Sequence, residues 1–123
     1  MPCLNFMPRM VDPILRGNKV HTVRFGKRGF KAGQTLYMQS GPRFKPTRFQ
    51  TFPCLRVRDI YLCDFGVSIW DENNSGFTVP QRDVFARCDG FRGWEDMMLW
   101  LDLSSGEEMR GQLVQWAPAT WES

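Results

Sequence analysis

Gly17-Asn18-Lys19-Val20-His21-Thr22-Val23-Arg24 sets a helix-stopping glycine directly before a run of strand formers that carries an amine, an imidazole, a hydroxyl and a guanidinium. On a strand, residues two apart share a face, so Val20, Thr22 and Arg24 point one way and His21, Val23 and Phe25 the other. Lys19 lies where the backbone leaves the preceding helix, outside that alternation, so its amine and the Thr22 hydroxyl can converge across the bend. An amine base beside a hydroxyl nucleophile is the pairing that attack on a carbonyl requires. The amine must first be neutral. With a reference pKa near 10.4, only about one lysine in 2,500 is neutral at pH 7; Arg16, Arg24 and partial burial all push toward the neutral form. A carboxylate, its own pKa raised by burial, would then be wanted to protonate a leaving amine. Short runs of Lys, Thr and Arg at a strand start ordinarily mark a solvated face, so the octet alone does not establish a site. His21, the chain's one histidine, shares a face with Val23 and Phe25 and reads as a satisfied core or interface histidine rather than a catalyst.

Outward from the octet, Cys3 to Phe6 reads as a short strand, and Met10, Val11, Ile14 and Leu15 recur at helical spacing until Gly17 supplies the stop. Pro13 interrupts that pattern, so the helix begins near Asp12 or is kinked there. Val20 to Phe25 and Gln34 to Gln39 read as strands around a basic glycine-containing loop, Lys27 to Gly33, and Gly41 to Thr47 is a loop with two prolines. Thr51 to Cys63 is the longest strand candidate, and its length suggests a strand that bends around a barrel. Val67 to Trp70 and Gly76 to Val79 flank an acidic turn as a hairpin. Gln81 to Cys88 and Arg92 to Leu103 read as helices, the second with Trp94, Met97, Met98 and Leu101 on one stripe, and Met109 to Trp116 closes as a strand. Strands mostly precede helices without a repeated strand-helix-strand unit, which indicates α+β: a small, partly closed β-barrel with helices on its side.

The 123 residues suit one domain, spanning 1–123, able to bury roughly two-thirds of its unfolded surface. A hydrophobic share of 42% with 24% charged residues is ordinary for a globular protein and argues against disorder and coiled coil. No apolar run approaches the roughly 18 residues a membrane span needs, and Met1 to Met10 is broken by Pro2, Asn5, Pro8 and Arg9, so the expectation is a cytoplasmic protein without a membrane. Cys3, Cys54, Cys63 and Cys88 show no two-to-four-residue spacing of the kind metal knuckles use, so they read as reduced, mostly buried thiols, with no metal and no cofactor. Charge is segregated along the chain. Residues 1–62 hold 12 Lys and Arg against 2 Asp and Glu, a formal +10; residues 63–123 hold 4 against 11, a formal −7; together they make the net +3. Such segregation points to an anionic ligand, unless the acidic half packs beside the basic loops. In the basic half, Arg24, Lys27, Arg28, Lys31, Arg43, Lys45 and Arg48 are interleaved with Phe25, Phe30, Phe44, Phe49 and Phe52. The cations suit phosphates, and any exposed ring suits base stacking.

At the octet the chain resembles the ASCH domain, a small β-barrel family of the PUA-like superfamily whose members carry a Gly, Lys, Thr and Arg pattern just after a first short helix. Gly33, Leu36 and Tyr37 resemble the family's glycine-led second strand, and Ala86, Asp89, Gly90 and Phe91 its segment before the last helix. Glu95, Met98 and Trp100 fit that helix, and Gly111 through Trp116 the closing strand. The resemblance implies a PUA-like barrel with flanking short helices and links to RNA binding. One bacterial branch of the family hydrolyses the acetyl amide of acetylated cytidine, with the octet's lysine and threonine and a glutamate before the last helix as its catalytic set. By position these are Lys19, Thr22 and Asp89. The chain departs from that branch in Asp89, one methylene shorter than the glutamate, in Val20, and in His21, where the branch has an apolar or amide side chain.

Three functions follow as expectations. The first is an RNA- or nucleotide-binding module with a basic cleft at the barrel mouth, Lys19, Thr22, Arg24 and Asp89 lining it and Lys27, Arg28, Arg43 and Lys45 adding to its binding surface. The second is an amidohydrolase acting on acetylated cytidine or a related small amide: Lys19 activates Thr22 or a water, Asp89 relays the proton and Arg24 holds the oxyanion. The third is a protein-interaction scaffold that docks through the acidic half.

Overall fold

In a computed structural model, which describes residues 2–25, 29–42, 44–70, 76–101 and 108–122, Pro8 opens the first helix at a position where its missing N–H would have had no partner. This helix, α1 (Pro8–Leu15), follows strand β1 (Cys3–Phe6) and runs through Pro13 instead of starting near it. Burial of Met10 and Ile14 holds the short helix on the core, and the Pro13 carbonyl remains useful: it accepts the N–H groups of Asn18 at 2.9 Å and Lys19 at 3.0 Å. Gly17, at φ 82°, is the left-handed residue that lets the chain turn back in this way, its own N–H reaching the Ile14 carbonyl at 3.2 Å.

The remaining elements are β2 (His21–Phe25), β3 (Thr35–Ser40), β4 (Thr47–Pro53), β5 (Arg56–Cys63), β6 (Gly66–Trp70), β7 (Gly76–Thr78), α2 (Arg82–Cys88), α3 (Trp94–Leu101), β8 (Glu108–Gln115) and a closing 3₁₀ turn, Thr120–Glu122. Among the described residues the architecture is α+β, with three helices and eight strands in two sheets. The first sheet has the order β1-β3-β4, with β1 parallel to β3, and the second the antiparallel order β2-β8-β5-β6-β7.

The single long strand expected over Thr51 to Cys63 is two strands. Pro53 ends β4, and at Cys54 and Leu55 the chain crosses from one sheet to the other: Cys54 N–H bonds the Gln34 carbonyl at 2.7 Å, Leu55 N–H the Gln115 carbonyl at 2.8 Å. A proline cannot donate to a ladder, so the break falls beside it. The hairpin of β6 and β7 forms as expected, while its acidic turn, Asp71 to Asn74, lies outside the described residues. One core draws on both sheets and all three helices, with Leu4, Met38, Ile60, Ile69, Leu113, Ile14, Phe85 and Met97 among its members. All four cysteines are free thiols; Cys54 and Cys88 are buried, Cys3 and Cys63 half-buried. No helix among the described residues is long and apolar enough to cross a membrane.

Candidate active site

Two helix ends bring the site together. Helix α2 stops at Asp89, after which Gly90 turns at φ 94°; the Gly90 N–H bonds the Arg87 carbonyl at 3.0 Å and the Phe91 N–H the Ala86 carbonyl at 3.0 Å. These crossed bonds form a Schellman motif, which holds the Asp89 backbone rigidly at the helix terminus. The Val20 N–H then bonds the Cys88 carbonyl at 2.8 Å, tying the entry of β2 to the end of α2. Residues 19 and 89 are thereby neighbours, although 70 positions separate them.

Lys19 is 2% exposed, an unusual burial for an ammonium-bearing side chain. Its Nζ donates to the Asp89 carbonyl oxygen and lies 3.7 Å from Asp89 Oδ2, with the Phe6 ring centroid at 5.6 Å. Burial lowers the Lys19 pKa to about 8; Asp89 opposes that shift, and the nearby Arg24 and Arg9 charges assist it. Arg16 is not among these causes. It pairs with Asp12 at 2.9 Å on the exposed side of α1, and Arg9 takes the part expected of it.

A cavity of about 320 Å³ opens at this point, lined by Lys19, Thr22, Arg24 and Asp89 together with Phe6, Met10, Phe91, Met97 and Trp100. That volume falls in the range of small-molecule sites, and its mixture of aromatic walls with a few polar groups is typical of them. Arg24 is held at its rim by a bond from Nη2 to the Asn5 carbonyl at 2.8 Å and by the Phe6 ring at 4.9 Å. Lys19 and Thr22 are both buried, which a solvated strand face would not give.

His21 is fully buried and forms a hydrogen-bonded chain. Trp121 Nε1–H donates to His21 Nε2 at 2.9 Å, and His21 Nδ1 lies 2.7 Å from Asp89 Oδ1. The imidazole stacks on Phe85 at 4.7 Å, and burial, against the favourable Asp89 carboxylate, pushes its pKa down. It is a satisfied core histidine, as its alternation suggests, and it also touches the candidate catalytic carboxylate.

Of the residues named from sequence, Lys19, Thr22, Arg24 and Asp89 share the cavity. Lys45 is exposed and does not line it, while Lys27, Arg28 and Arg43 lie outside the described residues. Of the interleaved rings, Phe30 is buried, Phe25, Phe49 and Phe52 pack against the core, and Phe44 is 96% exposed. Phe91 and Trp100 are marked in the sequence only by the family resemblance, and nothing there marks them or Phe6 as walls of a cavity. Nor does the sequence mark Trp121, whose hydrogen bond spans 100 positions and leaves no periodic signal. Compared with family models, with curated proteins and with solved structures, the chain has no match.

Proposed function

We propose that the chain is an amidohydrolase of ASCH type, acting in the cytoplasm on acetylated cytidine or a related small amide, its two sheets wrapped as a PUA-like barrel around the site. The observation that carries this reading is the gathering of a buried lysine, a threonine and an aspartate, from positions 19, 22 and 89, on one nucleoside-sized cavity. A lysine with a pKa of about 8 is neutral in roughly one molecule in ten at pH 7, a gain of more than a hundredfold over an ordinary lysine.

In the proposed reaction the neutral Lys19 amine takes the Thr22 hydroxyl proton as Oγ attacks the acetyl carbonyl carbon. The C–O bond forms, the carbonyl electron pair becomes an oxyanion facing Arg24, and the C–N bond breaks as the proton returns, by way of Asp89, to the leaving nitrogen. Water then cleaves the threonine ester, releasing acetate and restoring the hydroxyl. The 3.7 Å gap between Lys19 Nζ and Asp89 Oδ2 is long for a proton transfer, and unliganded sites tighten when substrate binds.

Incubating pure protein with acetylcytidine tests the reading. Cytidine and acetate are expected, with kcat/KM falling at least about 100-fold in Lys19→Ala. Because the base form of Lys19 is required, the rate is expected to climb with pH along a limb centred near 8. Absence of turnover by the wild type, or turnover undiminished in the variant, rejects it.

One observation supports RNA binding as a second reading: the exposed Phe44 ring beside the exposed Lys45, a stacking surface next to a cation. Affinity for single-stranded RNA is then expected to fall steeply between 50 and 200 mM salt, and salt-independent binding would exclude phosphate contacts as its source.

A further inference from the structure

We infer that His21 is the positioning residue for the Asp89 carboxylate and that Trp121 sets the tautomer in which it does so, an inference that rests on the amidohydrolase reading for its kinetic consequence. A tryptophan indole can only donate, so the 2.9 Å bond from Trp121 Nε1–H requires a bare lone pair on His21 Nε2. The ring proton is therefore on Nδ1, where it donates to Asp89 Oδ1 at 2.7 Å. Each group donates to the next in one direction, from indole to imidazole to carboxylate. With Oδ1 pinned, the other oxygen is the one turned to Lys19 Nζ.

The surroundings keep the imidazole neutral. A second ring proton would set Nε2–H against the indole N–H, and Phe85 stacks on the ring while Trp121 meets it edge-on. The charged groups acting on it are Asp89 at the end of α2, Lys19 at the entry of β2, and Glu122 in the closing turn. Glu122 also anchors that turn. Its carboxylate accepts Arg58 Nη2 at 2.6 Å, Gln115 Nε2 at 2.9 Å and the Ala119 N–H at 3.2 Å, so Trp121 is held in place by β5 and β8. The C-terminal turn is thus part of the site's support, reached through His21.

Because the chain has one histidine, its ring nitrogens are read without assignment ambiguity in a ¹⁵N–¹H long-range correlation spectrum of the labelled protein. The wild type at pH 7 is expected to show protonated Nδ1 and bare Nε2. Trp121→Phe keeps the ring and removes the donor; the Nε2–H form is expected to appear, with kcat on acetylcytidine reduced about 10-fold and KM unchanged. His21→Asn, which retains a donor near Nδ1, is expected to keep more of kcat than His21→Leu. An Nε2–H tautomer or an imidazolium in the wild type overturns the inference, as does a Trp121→Phe protein with unaltered tautomer, or equal kcat in the Asn and Leu variants. The spectrum needs no turnover. A wild type with the expected tautomer and no hydrolysis would leave the His21–Asp89 arrangement standing and remove the amidohydrolase reading.

Discussion

Gly90 leaves room for the lysine stem beside it. A β-carbon at that position would sit 2.8 Å from Met10 Sδ and 2.9 Å from Lys19 Cδ, and the backbone there has φ 94°. Gly90→Ala therefore meets both a strained conformation and a crowded neighbour; a loss of about 1–3 kcal/mol is expected in urea unfolding and, on the proposed amidohydrolase reading, reduced turnover as Lys19 is displaced. A stability equal to that of the wild type would show that the stem is not packed as described. At this scale strand alternation and the bend after Gly17 already allowed Lys19 and Thr22 to meet, and the resemblance named Asp89. Alternation could not supply Arg9 or Trp121 as partners of the site, because their contacts depend on how remote elements pack and not on local period.

Between elements, β2 and β8 approach closely at one glycine. At Gly111, opposite Phe25 in the ladder, a β-carbon would lie 2.5 Å from the Arg24 carbonyl oxygen, a backbone atom with no rotamer to yield. Gly111→Ala is expected to part the two strands at Arg24, costing about 1–3 kcal/mol in thermal unfolding and, on the proposed amidohydrolase reading, lowering kcat through a displaced guanidinium. Unchanged values for both would contradict the close approach. Most elements were legible from hydrophobic period and from Gly and Pro punctuation: Gly17 stops α1, and the hairpin of β6 and β7 stands where its pattern predicted. The misreadings have definite causes. Pro13 lies inside α1 because tertiary burial of Met10 and Ile14 overrides its local penalty. The β4–β5 break was hidden because apolar and β-branched residues continue past Pro53, and only the change of sheet partner, from Gln34 to Gln115, reveals the crossing.

Across the whole molecule, the opposed charges of the two halves meet. Arg9 pairs with Asp96 at 3.7 Å, Lys19 approaches Asp89 at 3.7 Å, and Arg56 and Arg58 reach Glu122 at 3.2 and 2.6 Å. Part of the basic excess is thus answered within the fold, which weakens the argument from charge segregation to an anionic ligand. Sequence position alone cannot register this, since the pairing is set by topology.

Burial of two titratable groups also makes stability depend on pH with one sign. For Lys19 the folded pKa, about 8, lies below the unfolded value of 10.5, so between those limits the unfolded chain binds more protons and stability rises with pH. The difference between wild type and Lys19→Met is expected to shift in favour of the wild type by on the order of 3 kcal/mol across that window, measured by chemical unfolding. For His21 the folded pKa is likewise lowered, so below the unfolded value of 6.5 the unfolded chain takes up the extra proton and stability falls with acid. His21→Gln is expected to flatten that acid limb.

The gathering of the buried Lys19, Thr22 and Asp89 on one cavity is tested most directly by titrating the Lys19 amine in the intact protein, following its Cε and Nζ resonances by NMR with Lys19→Met for assignment. A midpoint about 8 is expected. A midpoint at the ordinary lysine value, near 10.4, would place the amine in water and contradict the site.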